Sequence, residues 1–139
     1  MFQLDPTLAT DCVVIGDLPL SRVLLKNDRN WPWLILVPRR EGVGEIHELN
    51  AVDQHRLIDE SSQLARVMRE LFVPDKLNVA TLGNQVRQLH IHHIARYSDD
   101  PAWPGPVWGR CVAKPYSERA LDALRDRLMG AIDGIVAAD

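Results

Sequence analysis

No stretch of this chain approaches the roughly 20 apolar residues that a membrane span requires. The first residues, Met1-Phe2-Gln3-Leu4-Asp5, lack the basic region and apolar run of a signal peptide. Cysteine is scarce: Cys12 and Cys111 form neither a Cys-x-x-Cys pair nor any zinc-ligand spacing. A disulfide framework is therefore not expected, and the thiols suit a reducing, cytoplasmic setting. A basic excess is missing as well. The formal net charge of −3 argues against a nucleic acid polymer as partner. A small nucleotide stays open, because a few local donors suffice for a phosphate. No repeat or low-complexity segment is visible. With 139 residues, 46% hydrophobic and 25% charged, residues 1–139 are expected to form one globular domain with a real core.

What is present is a concentration of histidine. Three of the five histidines fall within residues 90–93, in the run Gln88-Leu89-His90-Ile91-His92-His93-Ile94-Ala95-Arg96, which is rich in β-formers. Side chains alternate along a strand, so Gln88, His90, His92 and Ile94 are expected on one face and Leu89, Ile91 and His93 on the other. Two imidazoles about 7 Å apart along a strand, at a rise of roughly 3.4 Å per residue, make a rigid polar platform. Packing alone gives a strand little reason to carry one.

This run resembles the signature of the histidine triad family of nucleotide hydrolases and transferases, His-φ-His-φ-His-φ-φ with φ apolar. In that register His90 stands at the central histidine and His92 at the last, while Gln88 replaces the first. Gly83-Asn84 stands where Gly-Gln precedes the motif in the Hint and Fhit branches. Pro32-Trp33-Leu34-Ile35-Leu36-Val37-Pro38 is similar to the family's Pro-Gly-His-x-Leu-Val-x-Pro strand, and Glu45-Ile46-His47-Glu48-Leu49 to the segment entering its long helix. Residues 101–109, Pro-Ala-Trp-Pro-Gly-Pro-Val-Trp-Gly, resemble the tail of a bacterial subgroup that carries Gln-Leu-His-x-His. The resemblance covers roughly residues 10–100. It implies a half-barrel-like sheet of about five strands, a homodimer, and a nucleophilic role for His90.

The pattern of the chain independently indicates an α+β domain. Residues 12–16, 22–26, 33–37 and 76–82 read as strands, with Asn27-Asp28-Arg29-Asn30 as turn material. Asn50 is an N-cap candidate for a helix over Ala51–Phe72, whose apolar stripe is Leu57, Leu64, Val67, Met68 and Leu71, and which must stop before Pro74. Residues 101–116 are a Pro/Trp loop. Ser117 caps a C-terminal helix expected over residues 117–138, with Leu121, Leu124, Leu128, Ile132 and Ile135 buried. Two hairpins with one long helix between them give an antiparallel sheet.

Candidate site residues follow. A neutral His90 can attack an α-phosphorus without prior deprotonation. His92 can hydrogen-bond a phosphate or leaving-group oxygen and, if protonated, add charge there. Gln88 can orient a neighbour or contact phosphate but cannot shuttle a proton. Asn84 beside Gly83 is either a phosphate donor or a turn asparagine. The resemblance implies a contact to ribose hydroxyls at Asn27, with Lys26 or Asp28 able to take that place. Leu24, Leu36 and Val37 are core or a base-binding surface. Arg96 is a strand-end anchor or a phosphate contact. Trp103 and Trp108 read as packing, or as a cover for the site. His93, His47 and His55 read as structural or surface.

The resemblance leads to an enzyme acting at an α-phosphorus through a nucleotidyl-histidine on His90, on dinucleoside polyphosphates, nucleoside phosphoramidates or adenylylated compounds. No resident cofactor or metal is expected, although Mg²⁺ can arrive with the phosphates. Two other readings remain: a nucleotide-binding module without turnover, suggested by the missing first histidine, and a His-x-His metal site, which needs further ligands.

Overall fold

The computed structural model describes all of residues 1–139. Apolar alternation and β-branched residues build β1 (Cys12–Asp17), β2 (Ser21–Lys26) and β3 (Trp33–Pro38), which form an antiparallel meander. The chain then enters α2 (Ala51–Phe72), returns along β4 (Lys76–Ala80), and closes the sheet with β5 (Ile91–Arg96). The strand order is β1-β2-β3-β5-β4, antiparallel throughout. The α+β class with five antiparallel strands is thus observed.

The sheet has two dry faces. One carries Val23, Leu25, Leu34, Leu36, Ile91 and Ala95 against Leu57, Leu64, Val67 and Met68 of α2. The Asn50 side chain accepts the Asp53 N–H at the start of α2, as the capping reading requires. The buried Glu60 accepts the N–H groups of Leu20 and Ser21 at 2.8 and 3.1 Å, and so pins the helix to the β1–β2 turn. The other face carries Leu24, Trp33, Ile35, Val37 and Ile94 under Leu8, Trp31, Ala102 and Val107. Leu36 therefore belongs to the helix side, and it cannot join Leu24 and Val37 as a base-binding surface.

Three elements differ from the sequence reading. A short helix, α1 (Pro6–Asp11), precedes β1; the Asp5 side chain caps it and Pro6 opens it, an arrangement suited to a helix start. The histidine strand begins only at Ile91, because β4 ends at Ala80 and residues 81–90 run without a ladder partner. The Leu89 N–H instead bonds the Val43 carbonyl at 3.0 Å. The last helix, α3, spans Glu118–Ala131 rather than 117–138. Beyond it Ile132 is extended, Gly134 takes a positive φ of 76°, and Val136 pairs with Asp17 on the outer edge of β1. Strand pairing outcompetes the last helical turn, and Gly134 makes the reversal possible. No helix is long and apolar enough to cross a membrane.

Candidate active site

His90 and His92 lie on the face away from α2, as alternation requires, although His90 precedes the formal strand. Their ring centroids are 4.9 Å apart, and both are buried. The His90 Nδ1–H donates to the Gln88 backbone carbonyl at 2.7 Å. A carbonyl only accepts, so this bond fixes the proton on Nδ1 and leaves the Nε2 lone pair free in the neutral ring.

His92 is held in the opposite tautomer. Register places Ile35 opposite His92 and Trp33 opposite Ile94. Trp33 is thus the diagonal same-face neighbour of His92, within reach of a large aromatic side chain. Its indole Nε1–H donates to His92 Nδ1 at 3.0 Å. An indole nitrogen is a donor only, so Nδ1 must be bare and the neutral ring carries its proton on Nε2. Burial, then the charges of His90 and Lys26, push His92 down to about 3. The ring is neutral at pH 7, so of the two states considered for His92 the uncharged hydrogen-bonding one applies. The sequence reading missed Trp33 in this role; the signal was a tryptophan at same-face parity on the neighbouring strand.

His93 points to the helix side. Its Nδ1–H donates to the Ile91 carbonyl at 3.1 Å, and its Nε2 then accepts from the Ser61 hydroxyl of α2 at 2.8 Å. Burial lowers His93 to about 4. It is a structural residue, fully buried.

A cleft of about 400 Å³ opens over the pair, between α1, the strand ends and residues 82–86, with Lys26, Ile35, Asn84, Gln85 and Trp108 among its walls. A polar cavity of about 240 Å³, lined by Gly44, Glu45, Thr81, Gly83, Asn84 and Arg87, also reaches His90. No three His, Cys, Asp or Glu side chains converge as a metal site would require.

This geometry sits within a recognisable sequence. The family model of the HIT domain matches residues 7–99. The chain belongs to the histidine triad family. It is similar over 98% of its length to a histidine triad protein from Marinobacter aquaeolei VT8, with 51% identity, 99% of that chain covered and a TM-score of 0.94. Histidine triad proteins from Bradyrhizobium japonicum and Sinorhizobium meliloti 1021 each show 44% identity over 94% of this chain. They are covered over 98% and 97% of their lengths, with TM-scores of 0.92 and 0.91. No curated protein matches.

The remaining candidates of this histidine triad protein divide between the cleft and its supports. Asn84 is exposed and lines both cavities. Gly83 lies beside them: a Cβ there would meet the Val86 carbonyl at 2.7 Å, so the turn that faces His90 admits only glycine. The Gln88 side chain leaves the imidazoles altogether. Its carbonyl accepts the Asp5 N–H at 2.9 Å and its amide donates to the Gln3 carbonyl at 2.8 Å. The Asn27 side chain accepts the Tyr116 N–H at 2.9 Å and ties down the C-terminal segment. Asp28 is buried and bonds Asn30 and the Lys114 N–H. Of the three residues considered for ribose, only Lys26 lines the cleft, with its Nζ 5.1 Å from the Trp33 ring centre. Arg96 is a strand-end anchor, paired through two nitrogens with Asp100 at 2.8 and 3.0 Å. Trp108 meets His92 edge-on, ring centres 5.1 Å apart, and so belongs to the site's wall. Trp103 is partly exposed and lies against Arg96. His47 and His55 are exposed.

Proposed function

We propose that this protein is a nucleotide hydrolase or nucleotidyltransferase that breaks a bond at an α-phosphorus through a nucleotidyl-histidine on His90. One observation carries the reading. The His90 Nδ1–H is tied to the Gln88 carbonyl at 2.7 Å, which leaves Nε2 as an oriented nucleophile beside a second histidine whose Nε2 carries a proton. Family membership supports action on nucleotides.

In the first step the Nε2 lone pair attacks phosphorus and the leaving group departs with the bonding electrons. The ring becomes an N-phosphorylated imidazolium, whose Nδ1–H the Gln88 carbonyl already accepts. The His92 Nε2–H donates to an oxygen on or next to phosphorus, where negative charge develops. Lys26 adds positive charge in the cleft. In the second step water displaces His90, giving a nucleoside monophosphate and one proton to solvent. Asn84, Gly83 and the 82–86 turn are assigned to the phosphate, and the cleft by Lys26 and Ile35 to the nucleoside. No resident metal or cofactor is assigned, and Mg²⁺ enters only with polyphosphate substrates. A cytoplasmic setting and a homodimer complete the proposal.

Mass spectrometry after brief exposure to adenosine monophosphate derivatives tests it. A gain of one nucleotidyl group, localised to His90, is the expected result. Tight nucleotide binding with neither adduct nor released monophosphate would instead establish a binding module.

A further inference from the structure

The cleft holds an oriented nucleophile but no group placed to hand a proton to what leaves. We infer that this site cleaves anhydrides of a nucleotide, in which phosphate or carboxylate departs as an anion, and discriminates against phosphoramidates and alkyl esters, whose leaving atom must gain a proton. This inference rests on the nucleotidyl-histidine reading above and narrows its substrate class.

Three observations converge. His92, the natural acid by position, has its Nδ1 filled by the Trp33 indole N–H at 3.0 Å. A second ring proton would have to face that N–H, so His92 offers a hydrogen bond from Nε2 without being an imidazolium able to release a proton. The position of the first triad histidine holds Gln88, which cannot ionise. Its amide is spent at both ends on the backbone of Gln3 and Asp5. His93 lies on the opposite face, bonded to Ser61.

The other titratable groups around the cleft are Asp11 at the end of α1, Cys12 at the start of β1 and Lys26 of β2, while Glu45 and Arg87 line the polar cavity on the other side of His90. β1 is three strands from β5 in the sheet, roughly 14 Å at a strand spacing of about 4.8 Å. For Cys12 on that strand this is beyond proton-transfer reach of a bond broken at His90. Lys26 of β2 is two strands from β5, and its ammonium is held over the Trp33 ring, 5.1 Å from the ring centre. A phosphate or carboxylate needs no acid at neutral pH, since such oxygens stay ionised there. An amine or alkoxide does.

The wild-type protein suffices for the test. Single-turnover nucleotidyl transfer to His90 is measured with adenosine monophosphate joined to pyrophosphate, to acetate, to a primary amine and to a simple alcohol, with the nitrophenyl ester as a chemically activated control. The two anhydrides are expected to exceed the phosphoramidate and the alkyl ester by at least the roughly 100-fold that a positioned general acid contributes. Phosphoramidate transfer within tenfold of the anhydrides overturns the inference, and loss of that activity in Lys26→Met would name Lys26 as the missing acid. Absence of any adduct, even with the nitrophenyl ester, removes the nucleotidyl-histidine reading itself and this inference with it. Imidazole nitrogen correlation spectra give a readout independent of turnover. His92 should remain an Nε2–H tautomer from pH 8 to pH 5; a protonated Nδ1 near pH 6 overturns the assignment.

Discussion

At the scale of single residues, three adjacent imidazoles are given three different states by their partners. A backbone carbonyl leaves His90 with a bare Nε2, an indole N–H leaves His92 with its proton on Nε2, and a carbonyl with a serine hydroxyl ties His93 between strand and helix. His90→Asn should therefore abolish nucleotidyl transfer while leaving the thermal midpoint and nucleotide affinity nearly unchanged; full turnover in this variant would remove His90 as nucleophile. His92 and His93 also set an acid limb of stability. Their folded-state values are depressed, to about 3 and about 4, against roughly 6.5 when unfolded. The stability they hold is thus present above about pH 6.5 and drains as pH falls towards those values, at about 1.4 kcal/mol per pH unit for each ring. Urea midpoints measured between pH 7.5 and pH 5 should fall accordingly, and His93→Gln should flatten the slope by about half.

At the scale of elements, the motif strand is wired to its surroundings through side chains that bond other segments of the fold. Gln88 bonds the segment that opens α1, and α1 supplies Thr7, Leu8 and Asp11 to the cleft. Gln88→Ala should loosen that wall and raise KM about tenfold, the loss of one or two net hydrogen bonds, with kcat changed far less. A matching fall in kcat would place Gln88 in the chemical step. At the far end of β5, Asp100 is pulled both ways. Burial opposes its charge, but hydrogen bonds from Arg96 and from the Tyr97 and Ala102 N–H groups prevail and hold the carboxyl well below the usual range. Asp100→Ala leaves the buried Arg96 unpaired and should cost about 3–5 kcal/mol, read from denaturant unfolding. These links explain what the sequence could and could not disclose. α2 was legible because Asn50, an apolar stripe and Pro74 are all local signals. The start of β5 was not, because it depends on where β4 ends, and neither was the end of α3, because Val136 pairs with a strand over a hundred residues earlier. The placement of His90 beside His92 on one face was legible from the motif, whereas Trp33 reaches His92 only through β3–β5 register.

At the scale of the whole molecule, the two edges of the sheet are treated differently. The β1 edge is partly covered, since Val136 pairs with Asp17 and Arg125 donates to the Val14 carbonyl. The β4 edge stays open and carries the half-exposed Val79. The Ser61–His93 bond sets α2 against β5, the strand next to β4. One turn from Ser61 on α2, Ile58 is 63% exposed. An unpaired edge beside an apolar helix flank is a liability in a monomer, and a two-fold partner presenting the same surface removes both at once. We expect a homodimer through this face, burying on the order of 2,000 Å². Light scattering at micromolar concentration should give twice the 15.7 kDa of the chain. Ile58→Glu combined with Val79→Glu should return the monomer mass, because two like charges would then be buried without partners at the centre of the contact. Trp108 meets His92 within its own chain, so that monomeric variant should still form the nucleotidyl adduct. Its failure to do so would mean that the partner completes the site. A mass near that of one chain for the wild type, persisting on concentration, would exclude the dimer and leave the α2 flank and the β4 edge to a different partner.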